Sequence, residues 1–234
     1  MTSARLARVA RSFLQRPSDV APADSWVSDL GTRVVRFFPL KLLGTTLVTW
    51  AFFVGYFHLL RFPAHAVTTV PVTAIDRLIP FQPQSLIAYL SLWVYVGTAP
   101  GLQATFRELL SYGFWACVLL LAGLGIFWLW PTQVPPASYD AKGFPGFELM
   151  RGIDAAGNAC PSMHVAIAIY TAISMEWLLR RVGAPRWLRG INAAWFAAIA
   201  YSTLALKQHV VVDVIAGGLL GGAVAVLSLR YRPR

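Results

Sequence analysis

Apolar residues in this chain gather into six long blocks separated by short polar or proline-containing stretches. The blocks run from Phe38 to Leu60, Ser85 to Leu102, Leu109 to Trp130, Pro161 to Leu179, Leu188 to Leu206 and Val210 to Leu229. Each comes close to the ~20 residues that an α-helix needs to cross a bilayer core. Pro63, Pro131, Pro135, Pro136, Pro161 and Pro185 fall at or between block ends, where a helix starts or stops without losing an interior hydrogen bond. The pattern predicts an all-α polytopic membrane protein, a six-transmembrane-helix bundle over 38–230. A basic segment, 1–37, precedes it and a basic tail, 231–234, follows.

Composition agrees: 57% of residues are hydrophobic and 13% charged, against a charged share of ~25% in soluble domains. The net charge of +10 reads mainly as an orientation signal. All lysines and arginines except Arg61, Arg77, Lys142, Arg151 and Lys207 fall on one side of a six-span topology, and that side, with both termini, is expected to be cytoplasmic. No basic soluble module is visible, which argues against a nucleic-acid partner. Near the N-terminus, Leu6, Val9, Ala10 and Phe13 recur at helical spacing, with Arg5, Arg8, Arg11 and Arg16 around the other side. This stretch is expected to lie on an anionic leaflet; its Arg-rich, acid-poor composition also resembles an organelle transit peptide, and it lacks the apolar core of a secretory signal. Cys117 and Cys160 fall at different depths, so no disulfide is expected.

The informative residues are the ionisable ones set against hydrocarbon, each costing on the order of 2.5 kcal/mol or more at mid-depth unless paired or hydrated. One cluster is "PSMH", Pro161 to His164, and the other "STLALKQHVVVD", Ser202 to Asp213. Pro161 suits a first helical turn, which would place His164 in that turn, where backbone N–H groups and the Ser162 hydroxyl can cradle an anion. His209 and Asp213 are four residues apart, so a last span beginning near Gln208 would set them on one face, the carboxylate orienting the imidazole. Lys207 stands beside them. Both clusters are expected at the same outward depth. Two histidines, a carboxylate, a lysine and a serine at one membrane face suggest phosphoryl transfer: one histidine attacks phosphorus and the other protonates the leaving oxygen. Lys207 would hold phosphate oxygens. Two histidines and an aspartate also suit a metal, but the neighbouring lysine would repel a cation.

At these residues the chain resembles the type-2 phosphatidic acid phosphatase superfamily, whose second motif is PSGH and third SRxxxxxHxxxD. "PSMH" matches the second with Met163 for glycine, and "STLALKQHVVVD" the third with Thr203 for arginine. The first motif, KxxxxxxRP, is absent, with "WPTQVPP" in its region. That combination is similar to the branch containing inositol phosphorylceramide synthases, which includes lipid phosphotransferases as well as hydrolases. The resemblance implies His209 as the nucleophile that becomes phosphohistidine, Asp213 as its orienting partner and His164 as the acid for the leaving alcohol. It implies Ser162 as a phosphate ligand. Lys207 would supply charge that Thr203 cannot, and Arg151 or Lys142 would stand in for the first motif. No cofactor or metal is implied.

The expected function is therefore a membrane lipid phosphatase acting on a phospholipid or lipid phosphate, with the site on the outer side, in a bacterial inner membrane by resemblance. A lipid alcohol in place of water as acceptor would make the enzyme a phosphotransferase. A non-catalytic lipid-phosphate binder or transporter is the alternative of another class. Trp128, Trp130, Trp177, Trp187 and Tyr201 read as interfacial belt residues. Gly217, Gly218, Gly221 and Gly222 read as small residues allowing close helix packing.

Overall fold

A computed structural model describes residues 26–136 and 157–232; the Leu6–Phe13 pattern, Lys142 and Arg151 lie outside them. The described chain is mostly helical. In order come α1 (Trp26–Val35), α2 (Phe38–Arg61), β1 (Thr68–Thr69), α3 (Ala74–Leu78), α4 (Leu86–Leu90), α5 (Leu92–Gly101), α6 (Phe106–Leu129), β2 (Thr132–Gln133), α7 (Met163–Arg181), α8 (Arg186–Ala205) and α9 (Val211–Arg230). Helical stretches coincide with all six apolar blocks. Three of them, α2, α6 and α9, are long and apolar enough to cross a membrane.

The departures have local causes. The second block is interrupted at Ser91, between α4 and α5. There the Ser91 hydroxyl donates to the Ala88 carbonyl at 2.6 Å and accepts the Trp195 indole N–H at 2.8 Å. Pro161 does not enter the first turn of α7. It follows a cis Cys160–Pro161 peptide bond, and Ser162 caps the helix, its hydroxyl accepting Val165 N–H at 3.4 Å. α7 also carries Glu176, Arg180 and Arg181 towards its end. It tolerates them because it is the central helix, with buried residues from Val165 to Leu179 around its circumference, so little of it is left exposed.

α9 packs on α7 through glycine. A Cβ on Gly217 would come within 2.3 Å of the Ser162 carbonyl oxygen, and one on Gly221 within 2.1 Å of the Ala166 carbonyl oxygen. Gly218 has open space around its Cβ direction, and Gly222 only an ordinary contact at 4.0 Å. Two of the four glycines thus set the interhelical distance. This close packing holds the N-termini of both helices side by side, and Ser162 N–H donates to the Asp213 carbonyl at 3.0 Å.

The end of the bundle that carries the α7 C-terminus is fixed by charge. Arg181 pairs with buried Glu108 at 2.6 Å. The Arg232 guanidinium lies 4.0 Å above the Trp177 ring, so Trp177 is covered, whereas Trp128, Trp130, Trp187 and Tyr201 are exposed. Lys41 Nζ donates to the Arg33 and Gly101 carbonyls at 2.6 and 2.7 Å, tying α2 to the ends of α1 and α5. At the opposite end, β1 and β2 pair in parallel, Thr68 with Thr132 and Thr69 with Gln133. Gln133 also bridges Gly157. Under this small sheet Val70, Val134, Ala159, Cys160 and Val210 form a local core. The connections after α2, α6 and α8 are thereby joined with the lead into α7. Cys117 and Cys160 are both free thiols.

Candidate active site

The two polar clusters of the sequence meet where α7 and α9 begin. Ser162 ends the approach to α7, so His164 is the second residue of that helix. α9 begins only at Val211, so His209 lies before the helix rather than on its face. It is held there by the backbone: Gln208 and His209 N–H both donate to the Thr203 carbonyl, at 3.0 and 3.2 Å. The aspartate is nonetheless within reach, with His209 Nδ1 3.5 Å from Asp213 Oδ2. The contact is not a hydrogen bond in this geometry, and Nδ1 has no hydrogen-bond partner among the described residues. Oδ2 accepts Val210 N–H at 3.0 Å, which fixes the carboxylate. Asp213 is fully buried and His209 nearly so.

The ring centroids of His164 and His209 are 5.9 Å apart, and the Tyr89 ring lies 4.5 Å from His164 at 31°. With Nδ1 turned to Asp213, the free edge of His209 is Nε2. The site contains a buried carboxylate able to support an imidazolium and two imidazoles close enough to act on one group between them.

Ser162 is fully buried, and its oxygen serves α7 as the cap. Lys207 is turned elsewhere: Nζ donates to the carbonyl of Asp76 at 2.9 Å and to that of Ile79. Burial lowers its pKa against the opposing pull of the Asp76 carboxylate. Its backbone is left-handed, φ 57°, a conformation costing roughly 1–2 kcal/mol for a residue with a Cβ. Thr203, at the arginine position of the resembled motif, is fully buried and its hydroxyl donates to Ala200 at 2.8 Å. It therefore contributes its carbonyl to the hinge instead of a charge to the site. Arg151 lies outside the described residues. Among the described residues, no group of three His, Cys, Asp or Glu side chains is arranged to hold a metal ion.

Met163 fills a gap. Its side chain lies against Gly123 of α6, where an added Cβ would come within 2.3 Å of the sulfur. A long side chain at this motif position is thus matched by a missing one on the facing helix. Cys160 is buried beside the site; burial, then the Asp213 carboxylate, pushes its thiol up to about 11.

Residues not singled out from the sequence also build the site. Tyr89 gave no signal, since a tyrosine in an apolar block looks like any other. Asp76 did give one: Thr73-x-x-Asp76 is a helix-start signature, and it forms a capping box at α3. Asn158 Nδ2 donates to the Tyr56 carbonyl at 3.0 Å, fastening the lead into α7 to α2.

From His164, His209 and Asn158 a cavity of about 630 Å³ extends between α2, α5 and α6 as far as Leu40, Lys41 and Pro100. Along α2 its lining runs from Leu40 to Phe57, about 25 Å at ~1.5 Å per residue. Phe52, Phe53, Trp93, Val96 and Leu120 are among its walls.

Residues 127–234 match the family model of the PAP2 superfamily. No curated protein and no solved structure matches the chain. The matched segment holds α7, α8 and α9 with both histidines and Asp213, while α1 to α5 lie before it.

Proposed function

We propose that this chain, whose residues 127–234 match the family model of the PAP2 superfamily, is an integral membrane lipid phosphatase of that superfamily working through a phosphohistidine. The superfamily supports an enzyme acting on phosphate esters. The observation that carries the lipid reading is the cavity: it starts at both histidines, is walled by apolar and aromatic side chains, and runs for most of a bilayer core of ~30 Å. A phosphate held at the histidines would have its hydrocarbon in that cavity.

In the first half-reaction His209 Nε2 attacks phosphorus, a P–N bond forms, and the P–O bond to the lipid breaks. His164 gives its proton to the leaving oxygen, and Asp213 supports the positive charge on His209. In the second, water attacks phosphorus, His164 takes its proton, and the P–N bond breaks to release phosphate and restore His209. Ser162 and, from the outer connection, Arg151 are the proposed phosphate ligands. Lys207, expected from the sequence in that role, holds the carbonyls of Asp76 and Ile79 instead.

The proposed topology has six crossings: α2, α4 with α5, α6, α7, α8 and α9. Arg181, Arg186, Arg189, Arg230 and Arg232 gather at the ends opposite the histidines, which supports cytoplasmic termini and an outward-facing site, in a bacterial inner membrane. The deciding experiment supplies purified protein with phosphatidic acid, lysophosphatidic acid and polyprenyl phosphates, with and without ceramide or diacylglycerol. Release of inorganic phosphate supports hydrolysis. A new phospholipid without free phosphate identifies the phosphotransferase instead, and binding without turnover of any of these refutes an enzyme.

A further inference from the structure

The reaction proposed above needs His209 held at one position, yet the residue lies outside helix α9, in a connection of only a few residues between α8 and α9. Three observations converge on what holds it. Two residues before it, Lys207 adopts a left-handed backbone, φ 57°, that favours glycine. The Lys207 ammonium is committed to the carbonyls of Asp76 and Ile79, at the last turn of α3. Two residues after His209, the first N–H of α9, that of Val211, donates to Asp76 Oδ1 at 2.8 Å.

The other carboxylate oxygen of Asp76 is fixed by Thr73 N–H and Thr73 hydroxyl, both at 2.7 Å. Gln82 N–H donates to the Ala205 carbonyl at 2.9 Å, so the segment beyond α3 also grips the end of α8. A helix C-terminus attracts a cation and a helix N-terminus an anion. Lys207 meets carbonyls at the end of α3, and Asp76 meets the start of α9. The two contacts run in opposite directions between the same two segments and enclose His209 from both sides.

We propose that residues 73–79 are a strap that positions the nucleophile, with Asp76 as its principal positioning residue and Lys207 as its anchor in the hinge. The strap lies before the segment matched to the superfamily, so this chain supplies support for its histidine from its N-terminal half. Asp76 touches neither substrate nor reacting atoms; it acts through the backbone on either side of His209. The positioning role rests on the catalytic reading of His209, whereas the mechanical role does not.

The test uses the full chain in dodecyl maltoside micelles, with dioleoyl phosphatidic acid as substrate and orthovanadate as phosphate mimic. Asp76→Ala is expected to lower kcat about tenfold or more, because small displacements of a reacting group are costly, with KM little changed and the melting temperature lowered but the protein still folded. Backbone hydrogen exchange over 207–213 is expected to quicken about tenfold. Lys207→Met, which keeps the left-handed strain without the tether, should lose more activity than Lys207→Gly. If Lys207 instead serves as a phosphate ligand only, the two variants weaken vanadate inhibition alike and Asp76→Ala leaves kcat intact, which overturns the proposal. Unchanged exchange in Asp76→Ala overturns it as well. Faster exchange in a protein whose wild type turns over no lipid phosphate retains the strap and removes the reaction assigned to the site.

Discussion

The two halves of the bundle are built on opposite terms. From α7 to α9 the helices interlock: α7 is buried on most sides, and α9 approaches it so closely that Gly217 and Gly221 leave no room for a methyl group. In α2, by contrast, Lys41 alone is buried. That helix meets its neighbours through a polar latch at one end, Asn158 at the other, and aromatic rings along a cavity wall. The proposed chemistry, which depends on sub-ångström placement, sits on the tightly packed half, and the more open half borders the cavity proposed for a flexible hydrocarbon. Three short elements, β1, β2 and α3, join the two.

This contrast can be broken most severely at Gly221. Gly221→Ala drives a methyl group into the Ala166 backbone, which cannot rotate aside, and should cost more than the ~1–3 kcal/mol of ordinary overpacking. The expected outcome is loss of monodisperse protein in detergent and of thermal stability. Gly44→Ala on α2, with nothing within 4 Å of the added atom, should be neutral or stabilising by up to ~1 kcal/mol through helix propensity. Equal sensitivity of the two positions to thermal melting would refute the difference in packing.

A second test sits at the border between the halves. His164→Ala removes the proposed acid and should reduce turnover by about 10²–10⁴-fold. The loss should be smaller for a lipid whose leaving oxygen needs no proton, such as a nitrophenyl phosphate ester. Gly123→Ala should act more mildly. The added Cβ displaces the Met163 sulfur, a flexible side chain, towards the cavity, so a KM increase of a few fold is expected with kcat preserved. Pairing it with Met163→Ala should restore KM, because the displaced group is gone.

The smallest effect concerns Cys160. Its thiol is buried and raised to about 11 from an ordinary 9.0, so alkylation at neutral pH should be slow in the native protein and fast after denaturation. The folded form keeps its proton where the unfolded form loses it. Stability should therefore fall as pH rises from about 9 to about 11, and Cys160→Ser should flatten that decline.

Hydropathy alone located the helical stretches of the six apolar blocks, three of them long and apolar enough to cross a membrane, but not α1 or α3, which are too short and polar to stand out. It did not locate the Ser91 interruption, which depends on a tertiary contact with Trp195. Pro161 stands two residues before α7 instead of in its first turn, since Ser162 is the better cap. The grouping of His164, His209 and Asp213 was legible from motif spacing, although His209 reaches Asp213 from a hinge rather than from the helical face. The destination of the Lys207 side chain was not legible. Its partners are backbone carbonyls more than a hundred residues away, and carbonyls leave no mark in a sequence. The two-residue strands were equally invisible, being too short for any alternation to show.

His209 is proposed to carry the phosphoryl group between the two halves of the reaction. This is tested most directly by rapid acid-free quenching during turnover of labelled phosphatidic acid, followed by peptide mass spectrometry. An acid-labile phosphoryl group is expected on the peptide containing His209. His209→Ala should lose both the label and about 10³-fold or more of the turnover, and wild-type activity should survive chelators and be inhibited by orthovanadate. Full turnover by His209→Ala, or activity abolished by chelators with no label on His209, would contradict this role for His209.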